Sequence, residues 1–115
     1  MADENTQQAT VQEEQEPRVI YQGTELKFAL DIDIEGFSMD SDDFKVTIKN
    51  TKKQIEIKKS DMLVTENDEY LFTVDTAEMG TGDYYLITTA YVPDSDFQDG
   101  LRTEVQKQLL CVVTS

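Results

Sequence analysis

The amino-acid sequence predicts an all-β fold, an immunoglobulin-like sandwich of two antiparallel sheets with seven or eight strands. The strongest evidence is the stretch 25–34, in which every even position is apolar. Side chains alternate between the two faces of a strand, so this period places large apolar groups on one side of a sheet. Those groups are Leu26, Phe28, Leu30, Ile32 and Ile34.

Turn-forming residues then divide the chain into short strands. The same two-residue period returns at 44–48 and 70–74, and turn signals recur about every ten residues, as is typical of sandwiches. A small open barrel is the alternative fold. We expect strands at 18–21, 25–34, 43–49, 54–58, 62–65, 69–75, 83–92 and 101–113.

The segment that precedes the 83–92 strand predicts a crossing between the two sheets. Asp75 or Thr76 can cap a single helical turn, and Gly80 can adopt the positive φ angle that ends it. A tyrosine near the start of the next strand, Tyr84 or Tyr85, is expected to hold this corner through its hydroxyl. Greek-key sandwiches use a tyrosine corner in this way.

The last two strands are rich in apolar residues. We assign Tyr85 and Tyr91 to the core because they fall in phase with strand cores. The final strand has five apolar residues that we take to be in phase: Leu101, Val105, Leu109, Cys111 and Val113. Lys107 interrupts this phase, which indicates a bulge or an edge position. The lone cysteine, Cys111, is expected to be a small core residue and not a reactive thiol.

Residues 1–17 are expected to form a disordered acidic tail, and residues 18–115 a β-sandwich domain. The tail has acidic and amide side chains, no basic or aromatic side chain before Pro17, and little apolar surface to bury. It can act as a solubilising tail or as a tether that becomes ordered on a partner.

The chain as given begins without the basic and apolar regions of a secretory signal, and no apolar stretch is long enough to span a bilayer.

The charge of the chain argues against nucleic-acid and membrane partners. With 24 acidic and 10 basic residues, the net charge is −14, which repels phosphates and anionic lipids.

Lysines nevertheless cluster between Lys45 and Lys59. This cluster is either a solvated edge that resists aggregation or a docking surface for an acidic protein, including another copy of the chain. The candidate interface lysines are Lys49, Lys52, Lys53, Lys58 and Lys59.

Two loop aromatics, Phe37 and Phe97, are further interface candidates. Each lies in an acidic loop, where strand alternation does not require burial. Exposed aromatic side chains are common anchors of protein interfaces. The alternative is that each folds back to cover an end of the sandwich.

No catalytic, cofactor or metal site is predicted. The chain has no histidine, which removes the commonest general base, and it has no phosphate-binding loop motif. Acidic clusters at 31–35, 40–43 and 94–99 invite comparison with calcium sites. In the 94–100 segment, however, one residue too many precedes the glycine, and the glutamate that the helix-loop-helix calcium motif requires at its twelfth position is missing. Acid pairs suited to glycoside hydrolysis occur by chance in so acidic a chain. We therefore expect a protein that is not an enzyme.

Four segments resemble the N-terminal immunoglobulin-like domain of phage upper baseplate proteins. They are Gln22-Gly23-Thr24 before Leu26-Lys27-Phe28, then Phe44-Lys45-Val46-Thr47-Ile48, Tyr70-Leu71-Phe72-Thr73-Val74-Asp75, and Met79-Gly80-Thr81-Gly82-Asp83-Tyr84-Tyr85. The resemblance spans about residues 18–113. It implies a non-enzymatic assembly module of a phage or prophage virion, in the tail, baseplate, head decoration or fibre attachment. Its partners would be copies of itself or neighbouring virion proteins, and it would assemble in the bacterial cytoplasm.

Two other functions remain open from the sequence. A small acidic protein can inhibit a basic enzyme by mimicking phosphate groups. The chain can also be a carbohydrate-binding or calcium-dependent adhesion module.

Overall fold

The computed structural model describes residues 8–11 and 18–115, and it contains two β-sheets around one core. The strands are β1 (Gln8–Val11), β2 (Arg18–Tyr21), β3 (Glu25–Asp33), β4 (Phe44–Lys49), β5 (Gln54–Lys58), β6 (Leu63–Val64), β7 (Tyr70–Asp75), β8 (Gly82–Pro93) and β9 (Leu101–Thr114). A 3-10 turn (Lys59–Asp61) follows β5, and a short helix α1 (Thr76–Met79) follows β7. Neither helical segment of the described chain is long and apolar enough to cross a membrane.

The order of the strands confirms the predicted two-sheet immunoglobulin-like sandwich. One sheet has the order β1-β3-β7-β6, and the other has the order β2-β9-β8-β4-β5. In immunoglobulin domains, strands A, B, E and D form one sheet and C, F and G form the other. Here β1, β3, β7 and β6 correspond to the first set and β4, β8 and β9 to the second, and β2 and β5 add a strand at each edge of the second sheet. Eight of the described strands lie within residues 18–115.

One edge of the five-stranded sheet differs from the purely antiparallel arrangement expected from the sequence. β2 runs parallel to β9, with Arg18 beside Cys111 and Tyr21 beside Thr114. β1, by contrast, pairs antiparallel with β3 in the other sheet. The beginning of the chain therefore contributes one strand to each sheet, and the alternation of apolar residues cannot predict this division.

β1 also lies inside the segment for which the sequence predicts a disordered tail. Its four residues pair with β3, from Gln8 opposite Asp33 to Val11 opposite Leu30. No periodic pattern in the sequence predicts this strand. The other residues of the predicted tail lie outside the described part of the chain. The division into a 1–17 tail and an 18–115 domain stays a prediction.

The core forms where the alternating faces of the two sheets meet. β3 buries Leu26, Phe28, Leu30 and Ile32, as its period predicts. The Phe28 ring packs against Phe72 of β7, with ring centroids 5.5 Å apart. Burying an aliphatic or aromatic side chain contributes about 1.5–3 kcal/mol, so this alternation is a main source of stability.

Hydrogen bonds from α1 join three turns at one end of the sandwich. The Asp75 side chain caps the helix by accepting from the Ala77 amide. The buried Thr76 hydroxyl donates to the Thr24 carbonyl (2.7 Å) and accepts from the Gly23 amide (2.8 Å). These bonds fix the β2–β3 turn against the β7–β8 connection.

The β4–β5 turn is tied to the same helix by Asn50. Its buried side-chain amide donates to the Met79 carbonyl (2.9 Å). Its side-chain carbonyl accepts from the Lys52 and Lys53 amides (2.8 and 2.7 Å). Asn50 therefore shapes its own hairpin turn and docks that turn on α1.

The tyrosine corner is present, and Tyr84 forms it. Its hydroxyl donates to the carbonyl of Gly80, which has a φ angle of 92° and ends α1. The Tyr84 side chain is fully buried, and burial raises the pKa of its hydroxyl to about 12. The neutral hydroxyl therefore remains a donor throughout the physiological pH range.

A β-bulge in β9 changes which side chains face the core. Tyr84 pairs with Cys111, whereas the next residue of β8, Tyr85, pairs with Leu109. Leu110 is the extra residue on β9. The sequence predicts a bulge or an edge because of Lys107, but the bulge lies at Leu110.

The bulge overturns part of the predicted core. Cys111 and Val113 are buried, as expected, but Leu101, Val105 and Leu109 point to the outer face of the sheet. Tyr85 and Tyr91 lie opposite Leu109 and Thr103 on that outer face, so their assignment to the core is wrong. β8 is apolar on both faces, and alternation alone cannot choose between them.

Removing the Tyr84 hydroxyl should destabilise the fold. Tyr84→Phe leaves the Gly80 carbonyl without its donor, and a buried unsatisfied group costs about 1–3 kcal/mol. We expect a fall of that size in the free energy of unfolding, measured by urea denaturation. Tyr21→Phe is the matched control, because Tyr21 is 70% exposed, and it should have no effect. Equal stabilities of wild type and Tyr84→Phe would contradict the corner's role.

Cys111 should react with thiol reagents only after unfolding. Its side chain is 1% exposed, and burial raises its thiol pKa to about 11. The thiolate is the reactive form, so both access and ionisation are suppressed below that pH. At pH 8, an aromatic disulfide reagent should modify the native protein negligibly and the urea-unfolded protein stoichiometrically. Rapid labelling of the native protein would contradict this burial.

Candidate binding surface

The lysines singled out from the sequence do not form one patch. Lys49, Lys52 and Lys53 lie at the β4–β5 turn, next to α1. Lys58 and Lys59 lie at the opposite end of β5, near the loop that joins β3 to β4. The length of the hairpin separates the two groups, although they are close in the sequence.

Lys59 holds the β3–β4 loop. Its ammonium donates to the backbone carbonyls of Asp40 (3.0 Å) and Asp42 (2.9 Å). It also lies 5.5 Å from the centre of the Phe44 ring and 5.9 Å from that of Tyr70, within the range of a cation–π interaction. These contacts give Lys59 an intramolecular role in ordering the loop.

Two other lysines also make intramolecular contacts. The Lys53 ammonium donates to the Glu78 carbonyl (3.0 Å), which links the hairpin to α1. Lys45 pairs with Glu56 across β4 and β5 (3.2 Å), and the hydrogen bond to Glu56 raises the pKa of Lys45. Lys49, Lys52 and Lys58 have exposed side chains.

The two loop aromatics differ in their surroundings. Phe37 is half-buried and packs edge-on against Phe44, with ring centroids 6.1 Å apart, so it covers an end of the core. Phe97 is 46% exposed and lies in the loop between β8 and β9. The structure thus places Phe97, and not Phe37, where an aromatic anchor would need to be.

The outer face of the five-stranded sheet combines lysines with aromatic and aliphatic side chains. Strand pairing sets Lys45 beside Lys58, Lys49 beside Tyr85, and Ile87 beside Lys107. The Lys107 ammonium lies 4.6 Å from the centre of the Tyr85 ring. We call this surface the lysine–tyrosine face; its members are Lys45, Lys49, Glu56, Lys58, Tyr85, Ile87, Tyr91, Val105, Lys107 and Leu109.

Most of this face could not be predicted from the sequence. The lysines on β4 and β5 form a visible cluster, but the alternation pattern assigns Tyr85, Tyr91, Val105 and Leu109 to the core. The face carries four lysines and one glutamate, and Asp83 lies at its end on β8, so the positive charges exceed the negative ones on a chain whose net charge is −14. It is therefore a locally positive surface on a negative body.

A cleft of about 660 Å³ opens at one end of this face. Its lining includes the aromatic residues Phe44, Tyr70 and Tyr91, the lysines Lys45, Lys58 and Lys59, and the acidic residues Asp43 and Glu56. The Phe44 and Tyr70 side chains are only 1% and 5% exposed, so Tyr91 is the most accessible of the three rings. Burial, together with the charges of Asp40 and Asp68, raises the pKa of Tyr70.

Acidic loops surround the same end of the sandwich. The loops that follow β3, β6 and β8 carry Glu35, Asp40, Asp42, Asp43, Glu66, Asp68, Glu69, Asp94, Asp96 and Asp99. Arg102 pairs with Asp94 and Glu104 at the base of the last loop. Within residues 8–11 and 18–115, no three acidic or cysteine side chains converge in a way that could hold a metal ion.

Comparison with known proteins supports an immunoglobulin-like fold. No family model and no curated protein matches the sequence. A solved structure of fibronectin(III)-like modules of CbhA from Clostridium thermocellum matches with a TM-score of 0.52 and 16% identity, over 92% of this chain and 94% of that chain. This similarity concerns the fold, and it agrees with the strand order above. The chain therefore has an immunoglobulin-like β-sandwich fold, similar to that of these fibronectin(III)-like modules.

Proposed function

We propose that this chain is a non-enzymatic assembly module that binds acidic protein surfaces through the lysine–tyrosine face. The observation that carries the proposal is the concentration of four lysines and two tyrosines on one sheet surface of a strongly acidic protein. Interface cores are enriched in tyrosine, and complementary charge steers association. The face combines both properties.

The buried ionisable groups support a role without catalysis. Tyr84 and Cys111 have the largest pKa shifts, to about 12 and about 11, and both are caused by burial in the core. Tyr84 holds a corner, and Cys111 packs among apolar residues. Tyr70 and Lys45 also have raised pKa values and line the cleft, but these shifts come from burial of Tyr70 and from the hydrogen bond of Lys45 to Glu56.

Within this class, we propose a virion component of a phage or prophage. The support is the resemblance of residues 18–113 to the immunoglobulin-like domain of phage upper baseplate proteins. Its partners would then be copies of itself or neighbouring virion proteins. It would assemble in the bacterial cytoplasm and remain in the particle.

A second candidate function is inhibition of a basic enzyme. The observation in its favour is the ring of carboxylates on the loops that follow β3, β6 and β8. A phosphate mimic would act as a monomer and present these loops. Self-association of the purified chain would therefore favour the assembly module over the inhibitor.

Charge reversal on the lysine–tyrosine face should prevent assembly. We expect the mass of the wild-type chain, 13.1 kDa as a monomer, to rise with concentration in sedimentation experiments at about 0.1 M salt, where screening limits repulsion between distant charges. A variant with Lys49→Glu, Lys58→Glu and Lys107→Glu should stay monomeric. All three side chains are exposed, so its circular dichroism should match the wild type, and its unfolding free energy should fall by no more than about 1 kcal/mol through loss of the Lys107–Tyr85 contact.

The matched control reverses three exposed lysines outside this face. Lys27→Glu, Lys52→Glu and Lys53→Glu change the net charge by the same amount and should leave the association intact. Loss of association in the control alone would move the interface to the β4–β5 turn. A wild-type chain that is monomeric at every concentration would overturn self-assembly and favour the inhibitor.

A further inference from the structure

We infer that two copies of this chain pair through the free edge of β9, antiparallel and centred on Val105. This inference rests on the proposed function, because it names a second copy as the partner at the border of the lysine–tyrosine face. Each copy contributes the same segment, as a contact with two-fold symmetry requires. The two five-stranded sheets would then form one continuous sheet, and the two faces would lie side by side.

The edge of β9 is open over most of its length. β9 has 14 residues, but β2 pairs only with the last four, from Cys111 to Thr114. In the described part of the chain, no other strand pairs with this edge, since β1 belongs to the other sheet. We call residues 101–110 the open β9 edge. An open edge of this length is a template on which another strand can pair.

The odd-numbered residues direct their backbone groups to the open β9 edge. The Tyr91 amide donates to the Asp43 carbonyl on the β4 side of β8 (3.1 Å). Tyr91 lies opposite Thr103 in the β8–β9 register, so this pair is not hydrogen-bonded, and the N–H and C=O groups of Thr103 point away from β8. Because these directions alternate, the groups of Val105 and Lys107 also point to the open edge.

A register centred on Val105 makes the open β9 edge complementary to itself. Val105 then lies opposite Val105 of the second copy, and Thr103 lies opposite Lys107. Leu101 lies opposite Leu109, so apolar side chains meet apolar side chains on the outer face. Every outward-pointing residue meets another, and such pairs exchange two backbone hydrogen bonds. Aliphatic pairs across antiparallel strands stabilise the sheet.

The neighbouring register fits less well. With Gln106 at the centre, Val105 would lie opposite Lys107 of the second copy. Leu101 would lie opposite Cys111, where β2 already covers the edge. The span left open by β2 and the positions of the apolar side chains therefore select the same centre, Val105.

The charges of the open β9 edge allow two acidic copies to approach. Lys107 is the only charged side chain on its outer face. On its inner side, Arg102 and Glu104 pair with each other (2.8 Å), and neither would face a like charge in this register. The variant with Lys49→Glu, Lys58→Glu and Lys107→Glu changes one residue of this edge, so it acts on the contact as well.

Like charges at the centre should break the contact. Val105→Lys places two ammonium groups directly opposite each other and should weaken self-association at least about tenfold in sedimentation experiments. Val19→Lys is the matched control, because Val19 is 69% exposed on β2 of the same sheet, against 57% for Val105. The control should associate like the wild type. Weaker association of Val19→Lys, with normal association of Val105→Lys, would overturn the inference.

Disulfide trapping gives the decisive result, because only the residue on the two-fold axis meets its own copy. The Cα atoms of a hydrogen-bonded antiparallel pair lie about 5.5 Å apart, within the range of a disulfide. With oxidised glutathione as the oxidant, Val105→Cys should form linked dimers, whereas Thr103→Cys and Lys107→Cys should each remain unlinked. An equimolar mixture of the last two should form a linked heterodimer, since Thr103 lies opposite Lys107. The native Cys111 is buried and should not react.

The outcomes separate this inference from the proposed function. Linking of Thr103→Cys alone, or no linking of Val105→Cys where the wild type associates, would refute the edge contact. If the variant with three reversed lysines then stays monomeric, the proposed function stands without it. If that variant associates and Val105→Cys still links, the edge contact stands and the role of the lysine–tyrosine face in assembly is refuted.

Discussion

The position of the β-bulge at Leu110 determines what the five-stranded sheet presents to solvent. A strand alternates strictly, and one extra residue transfers all later side chains to the opposite face. Because of the bulge, β9 can bury Cys111 and Val113 and still hold Val105, Lys107 and Leu109 on the outer face. Without it, either the core would lose two apolar residues or the lysine–tyrosine face would lose its β9 side chains.

The fold could be predicted from the sequence where one face of a strand is apolar and the other is charged. β3 was expected at 25–34 and is observed at Glu25–Asp33, and β4 was expected at 43–49 and is observed at Phe44–Lys49. Polar and apolar residues alternate so clearly in both strands that only one face can enter the core. The corner was predictable for a similar reason, because a capping residue, a glycine and a tyrosine occur at fixed spacing.

The candidate site could be predicted only in part. β8 has Tyr84 and Leu86 on one side and Tyr85 and Ile87 on the other, so both faces satisfy a core pattern. The choice between them comes from pairing with β4 and β9, which a single sequence does not specify. The intramolecular role of Lys59 was likewise invisible, since its acceptors are backbone carbonyls 17 and 19 residues away.

The two ends of the sandwich are held by different kinds of bond. At the α1 end, the hydrogen bonds of Thr76, Asn50 and Tyr84 are neutral and lie in or next to the core, where they are protected from salt, and the Lys53 ammonium adds one exposed bond to the Glu78 carbonyl. At the loop end, the ammonium of Lys59 and the guanidinium of Arg102 make the equivalent connections.

This difference follows from the charge that each end carries. The acidic loops repel one another, and a cation that donates to loop carbonyls or carboxylates both fixes the chain and offsets part of that repulsion. Neutral donors would supply the hydrogen bonds without the compensating charge. The loop end can therefore present carboxylates and Phe97 on ordered backbone, while the opposite end maintains the fold independently of them.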